Sequence, residues 1–137
     1  MKVAIFRKEH FNAAHRLYRK DWSDQQNQLI FGKCSNPNFH GHNYELIVSV
    51  TGPIDSQTGY VIDMKVLKEH IKTQVEDVFD HKNLNLEVPE FMDTIPTAEN
   101  IVVVIYDKLK KILKPNQSME VVLYETPRNF VTYSEKL

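Results

Sequence analysis

Two histidines, His40 and His42, stand one residue apart in the stretch KCSNPNFHGHNYE, and the only cysteine of the chain, Cys34, precedes the first of them by six residues. Histidines at i and i+2 of a strand point to the same side, so both imidazoles can reach one metal ion. With six histidines in 137 residues the pair alone says little. His15 strengthens it, because it ends an alternating segment in phase with the apolar residues Phe11 and Ala13. If those two segments pair antiparallel, His15 lies beside His40 and His42 and three imidazoles converge. Three neutral nitrogen ligands with an open fourth position describe a catalytic zinc site more than a structural one, which is closed and richer in thiolate. The competing reading is three partly buried, hydrogen-bonded histidines at a strand end. Cys34 is a fourth ligand, a packed small side chain, or a thiolate activated by Lys33 and a nearby dication.

Two carboxylates also stand out. Asp80 precedes His81 where a helical pattern stops, an arrangement that fits either a working pair or a solvated histidine on the helix dipole. Glu125 has the parity of Met119, Val121 and Leu123, so it lies just past the core or is a buried recognition group.

The elements that must position these groups follow from periodicity. Val3, Ile5, Phe11, Ala13 and His15 share one parity of a long half-buried strand. Residues 16–39 are polar, carry an NPN turn signal and read as a long loop. A second strand covers HNYELIVSVTG, with His42, Tyr44, Leu46, Val48 and Val50 facing one way and Asn43, Glu45, Ser49 and Thr51 the other. After the turn GPIDSQTG, Asp63 suits a helix N-cap, followed by Met64, Leu67, Ile71, Val75 and Val78 at helical spacing. DHKNLN breaks that helix. A second helix begins at Thr97, with Glu99 in its first turn and Ile101, Val104, Ile105, Leu109 and Ile112 on its apolar face. Two strands, SMEVVLYET and NFVTYSEK, close the chain.

The expected fold is one α+β domain over residues 1–137, ββααββ, a four-stranded antiparallel sheet with two helices on one face. Its other face and its edges are then uncovered, and self-association is the simplest cover. A formal net charge of −1 gives no reason to expect nucleic acid or an anionic membrane as partner. No apolar run approaches the roughly 20 residues of a membrane span. The N-terminus interleaves charge with apolar residues, unlike a secretory signal, and a lone cysteine forms no internal disulfide, so a cytoplasmic location is expected.

Five segments in order, FNAAHRL (11–17), LIFGKCSNPNFHGHNY (29–44), DHKNLN (80–85), PTAEN (96–100) and LYET (123–126), make the chain resemble the 6-pyruvoyl-tetrahydropterin synthases of the tunnelling-fold (T-fold) family. The resemblance implies that His15, His40 and His42 bind a catalytic zinc ion. It makes Cys34 the general base, Asp80 and His81 its relay partners, and Glu125 the anchor of the pterin ring. Thr97 and its neighbours, Glu99 among them, would line the pterin pocket, often from an adjacent subunit. It further implies a T-fold whose trimers close a barrel and stack into a homohexamer. The substrate would be 7,8-dihydroneopterin triphosphate, with magnesium accompanying the triphosphate. Cys34 stands six residues before His40, as in the pyruvoyl enzymes, whereas the 6-carboxy-tetrahydropterin synthases of the deazapurine pathway typically place it four before. YVIDM resembles the carboxy enzymes, which keeps that sister activity as an alternative, beside a non-catalytic zinc- or pterin-binding oligomer. Phe39 departs from the pattern, which has glycine before HGH in close relatives.

Overall fold

The computed structural model describes all of residues 1–137. Two long strands, β1 (Lys2–His15) and β2 (His40–Pro53), form the spine and pair antiparallel along their whole length, Lys2 opposite Pro53 and His15 opposite His40. β4 (Ser118–Tyr124) pairs antiparallel with β2, and β5 (Phe130–Tyr133) with β4. A two-residue strand, β3 (Lys82–Asn83), lies parallel to β1 at Ala13 and Ala14, giving the order β3-β1-β2-β4-β5. The sheet is therefore five-stranded and mixed, not four-stranded and antiparallel. β3 is too short to leave a periodic trace and is fixed only by its docking on β1.

Strand alternation places the core on one face. Phe11 and Ala13 of β1, Tyr44, Leu46, Val48 and Val50 of β2, and Met119, Val121 and Leu123 of β4 are buried there. Leu46 faces Leu123, Val48 faces Val121 and Val50 faces Met119 across the β2–β4 ladder. The long helix α5 (Ala98–Leu109) covers β4 and β5, burying Ile101, Val102, Ile105, Tyr106 and Leu109. The other cover is a composite helix. α2 (Met64–Ile71) runs through a π-helical turn, Lys72–Glu76, into the short α3 (Asp77–Phe79), burying Leu67, Ile71, Val75 and Phe79. Asp63 caps α2, its side chain accepting from the Lys65 N–H at 2.8 Å, as its position in the sequence predicts. No helix is long and apolar enough to cross a membrane.

Residues 16–39 are not a loop throughout. They hold α1 (Asp24–Phe31) and a 3₁₀ turn over Gly32–Ser35, so two-helix expectations undercount the helices; α4 (Leu84–Glu87) adds a further single turn. α1 has no apolar stripe, and Asn27 is its one buried residue. Its stability comes from termini and polar anchoring: Ser23 Oγ accepts from Gln26 N–H at 3.1 Å, and Asn27 both accepts from Arg19 N–H and donates to Arg19 C=O.

The sheet's second face is open. Phe6 is 61% exposed there, and Ile47 and Val122 are half-buried.

Candidate active site

The end of the β1–β2 ladder assembles the imidazoles. His15 sits directly opposite His40, and His42 opposite the small Ala13, all three on the helix-covered face. Ring centroids are 4.6 Å apart for His15 and His40, 5.1 Å for His15 and His42, and 5.0 Å for His40 and His42. One ligand atom from each ring lies within 4.8 Å of the others. Each ring also carries a solvent-shielded nitrogen with no hydrogen-bond partner, His15 Nε2, His40 Nδ1 and His42 Nε2. Three buried acceptors left unmatched cost free energy unless something electropositive meets them. A borderline-soft dication that takes neutral nitrogen fits this donor set.

His15 is the most firmly held of the three imidazoles. Its side chain is 1% exposed, and Nδ1 lies 2.8 Å from the Pro96 carbonyl oxygen, with Tyr44 Oη at 3.4 Å. A carbonyl only accepts, so Nδ1 carries the proton and Nε2 presents its lone pair to the centre. Burial, with the neighbouring His40 and His42, pushes the imidazole down to about 4 despite the Pro96 hydrogen bond. His15 is thus a neutral imidazole throughout the physiological range. Burial and His42 also lower His40. Below the rings, Tyr44 and Phe11 stack at 4.9 Å and form an apolar floor, and burial raises the Tyr44 phenol far above its ordinary range.

Glu125, the first residue after β4, brings its carboxylate to the same place. Oε2 lies 3.9 Å from His15 Nε2 and Oε1 lies 3.9 Å from His42 Nε2. With His15 neutral, the former contact is not an ion pair. The parity reading of Glu125 as in-facing holds, and the carboxylate faces the imidazole cluster itself.

Two sets of hydrogen bonds from the end of β1 position the remaining candidates. Leu17 N–H donates to Cys34 C=O at 2.8 Å, and Arg16 Nε–H to Ser35 C=O at 2.7 Å, tying the 3₁₀ turn of Cys34 to the residues after His15. Cys34 is a half-buried free thiol in a cavity of about 510 Å³ shared with Lys33, Phe39 and His40. On the other side Asp80 Oδ1 accepts from Asn12 N–H at 2.8 Å, His81 N–H donates to Asn12 C=O at 2.7 Å, and Asn85 brackets the backbone of Arg16. The Asn12 hydrogen bond, with His81 beside it, holds the Asp80 carboxyl below its usual range. Asp80 Oδ2 lies 2.9 Å from His81 Nδ1, and the His81 ring is 80% exposed at the mouth of a cavity of about 560 Å³ that also contains His42 and Lys82. Within one chain Cys34 and His81 therefore line different cavities, the first with His40 and the second with His42.

Thr97 is the N-cap of α5, its hydroxyl oxygen accepting from Asn100 N–H at 3.2 Å, and Glu99 is exposed in the first turn. Through Pro96 the start of α5 is pinned to His15. Phe39 and His81 are the two non-glycine residues with positive φ, 65° and 60°. The left-handed backbone at Phe39 explains why glycine suits that position.

A half-open sheet whose strands β1 and β2 end in three imidazoles able to hold a metal ion, with a thiol and an acid–histidine pair nearby, defines an enzyme domain of the T-fold class. The family model described as 6-pyruvoyl tetrahydropterin synthase matches residues 4–136. The 6-pyruvoyl tetrahydrobiopterin synthase of Pongo abelii is 46% identical over 132 residues, covering 96% of this chain and 91% of that protein. The human protein of the same name is 45% identical with the same coverage. The solved 6-pyruvoyl tetrahydropterin synthase of Caenorhabditis elegans superposes with a TM-score of 0.90 at 38% identity, covering 98% of this chain and 96% of that one. The chain belongs to the 6-pyruvoyl tetrahydropterin synthase family.

Proposed function

We propose that this protein converts 7,8-dihydroneopterin triphosphate to 6-pyruvoyl-tetrahydropterin and inorganic triphosphate, as a zinc-dependent carbon–oxygen lyase of tetrahydrobiopterin biosynthesis. The observation that carries the reading is the convergence of three imidazoles, His15 buried and the other two half-buried, each with an unpartnered nitrogen, beside cavities that hold the acid–base groups. His15, His40 and His42 would hold the zinc ion, which would supply a Lewis acid for negative charge developing on the side-chain oxygens of the substrate.

The chain's own groups do the rest. Cys34, half-buried beside His40, takes a proton from a hydroxyl-bearing carbon as triphosphate leaves. Asp80 fixes the His81 ring through Nδ1 and leaves Nε2 free to shuttle protons during the tautomerisation that follows. Glu125 stands against the ligand nitrogens, where the reacting side chain must lie, and it accepts hydrogen bonds from substrate N–H or O–H groups there. Glu99 and Thr97, on the helix start pinned to His15, line the outer part of the pterin pocket.

Lys33 and Lys82 line the two cavities and form no ion pair, so they are the cations available for the triphosphate and its magnesium. Arg19, by contrast, is engaged by Asp21 and Lys20 by the Met92 carbonyl. A homohexamer would cover the open sheet face around Phe6 and the short edges β3 and β5. It would also set the Cys34 cavity of one subunit near elements of another. A reducing cytoplasm would keep Cys34 a free thiol.

The test is Cys34→Ala. The variant should retain its zinc by elemental analysis while elimination falls roughly 10²- to 10⁴-fold. Loss of zinc would make Cys34 a ligand, and unchanged turnover would remove the thiol from the reaction.

A further inference from the structure

Glu9 lies on the core-facing parity of β1, two residues before Phe11, where an apolar side chain would be expected. Its carboxylate is only 16% exposed and is gripped by Arg7, whose Nε–H donates to Oε1 at 2.8 Å. Opposite it stands Glu76, the last residue of the π-helical turn between α2 and α3, its carboxyl group close enough to that of Glu9 for a hydrogen bond if a proton lies between them. Glu76 Oε1 is shielded from solvent and receives no N–H or O–H from any other group. Carboxylate oxygens only accept, so this contact is a hydrogen bond only while one proton lies between the two groups.

The pair sits at a consequential joint. The Glu76 carbonyl accepts from Asp80 N–H at 2.8 Å, and Asp80 in turn grips Asn12 of β1 and the His81 ring. We propose that Glu9 and Glu76 share a single proton, and that this proton is a pH-sensitive latch clamping the end of the α2–α3 helix, with Asp80 and His81, onto β1. The latch stands whatever Asp80 and His81 do; its effect on turnover rests on the proton-shuttling role proposed for them above.

The surroundings set where the latch opens. Burial first, then the hydrogen bond and the charge of Glu9, push Glu76 up to about 7, against His10 and Lys72, which favour its ionised form. Burial also raises Glu9, but the bonds from Glu76 and Arg7 and the charges of Arg7 and Lys68 outweigh it and leave Glu9 below its ordinary value. The arrangement assigns the shared proton to Glu76, on the helix side. The folded protein holds it to about pH 7, whereas the unfolded chain releases it near 4.5, so its stabilisation is complete at low pH and lost as pH rises through about 7. Above that, two carboxylates face each other across the joint.

The experiment compares the intact protein with Glu76→Gln, reading melting temperature from pH 5.5 to 8 at fixed protein concentration, and amide exchange of the segment 77–81. The wild type should lose melting temperature relative to the variant as pH rises, and its 77–81 protection factors should fall about 10-fold between pH 6 and 8 while those of the variant stay level. A melting-temperature gap independent of pH, or parallel exchange profiles, would overturn the latch. Glu9→Gln provides the same comparison if Glu76→Gln fails to fold, because it too leaves only one titrating carboxyl. Neither residue touches the histidine cluster, so zinc content should be unchanged in both.

Discussion

His15→Asn tests whether a buried neutral imidazole is built into the fold itself, apart from any metal. The asparagine amide can keep the hydrogen bond to the Pro96 carbonyl while removing the titrating group. In metal-stripped wild-type protein His15 takes up a proton only near pH 4, whereas in the unfolded chain it does so near 6.5. Between those values the unfolded state binds more protons, so stability is lost as pH falls through the window. From pH 7 to pH 5 the two pKa values give a loss of about 2 kcal/mol attributable to His15. For a chain of this length that is roughly 8 °C in melting temperature. The raised Glu76 has the opposite sign over the same range, so the wild-type curve alone can look flat. The difference between wild type and His15→Asn cancels that contribution. Chelator-treated samples at one protein concentration, melted at half-unit pH intervals, read it directly. The wild-type protein should fall relative to the variant below pH 6.5. Parallel curves would refute a buried neutral His15 and weaken the case for a preorganised nitrogen ligand.

Asp80→Asn should keep the acceptor for Asn12 N–H but lose the charge beside His81; turnover should drop at least 10-fold with zinc retained and stability lowered by about 1 kcal/mol, measured by steady-state assay, elemental analysis and urea titration. Leu46→Ala empties a fully buried site facing Leu123 and should cost about 3 kcal/mol in urea unfolding without altering metal content. Ser23→Ala removes the α1 cap and should cost about 1 kcal/mol, with hydrogen exchange rising first in residues 24–31.

The three-imidazole centre was legible because strand parity has a strict period of two. His15 shares the face of Phe11 and Ala13, His42 that of Tyr44 and Leu46, and antiparallel pairing then leaves little freedom. Asp63 was legible as a cap for a similarly local reason, and Thr97, read as the first helical residue, proves to be the cap of α5, one position before the helix begins. What escaped was set by tertiary contact or by polar chemistry. α1 carries no apolar period, although the Ser23–Gln26 spacing matches a capping box that could have marked it. The Pro96 carbonyl that sets the His15 tautomer lies 81 residues away and is a backbone atom, which no side-chain pattern reports. The parity of Glu125 showed that it faces inward; its closeness to His15 and His42 depends on the β2–β4 register, which places Glu45 opposite Tyr124. The separation of Cys34 from His81 into two cavities had no sequence signal, because it is set by where the Cys34 turn docks on Arg16 and Leu17 and where Asp80 and His81 dock on Asn12.

The most direct measurement is triphosphate release from 7,8-dihydroneopterin triphosphate by the purified protein, with and without a zinc chelator, with the pterin product identified by mass spectrometry. Chelator-sensitive release yielding 6-pyruvoyl-tetrahydropterin is the predicted result. A 6-carboxy product, or no turnover by zinc-loaded protein, would contradict the proposed reaction.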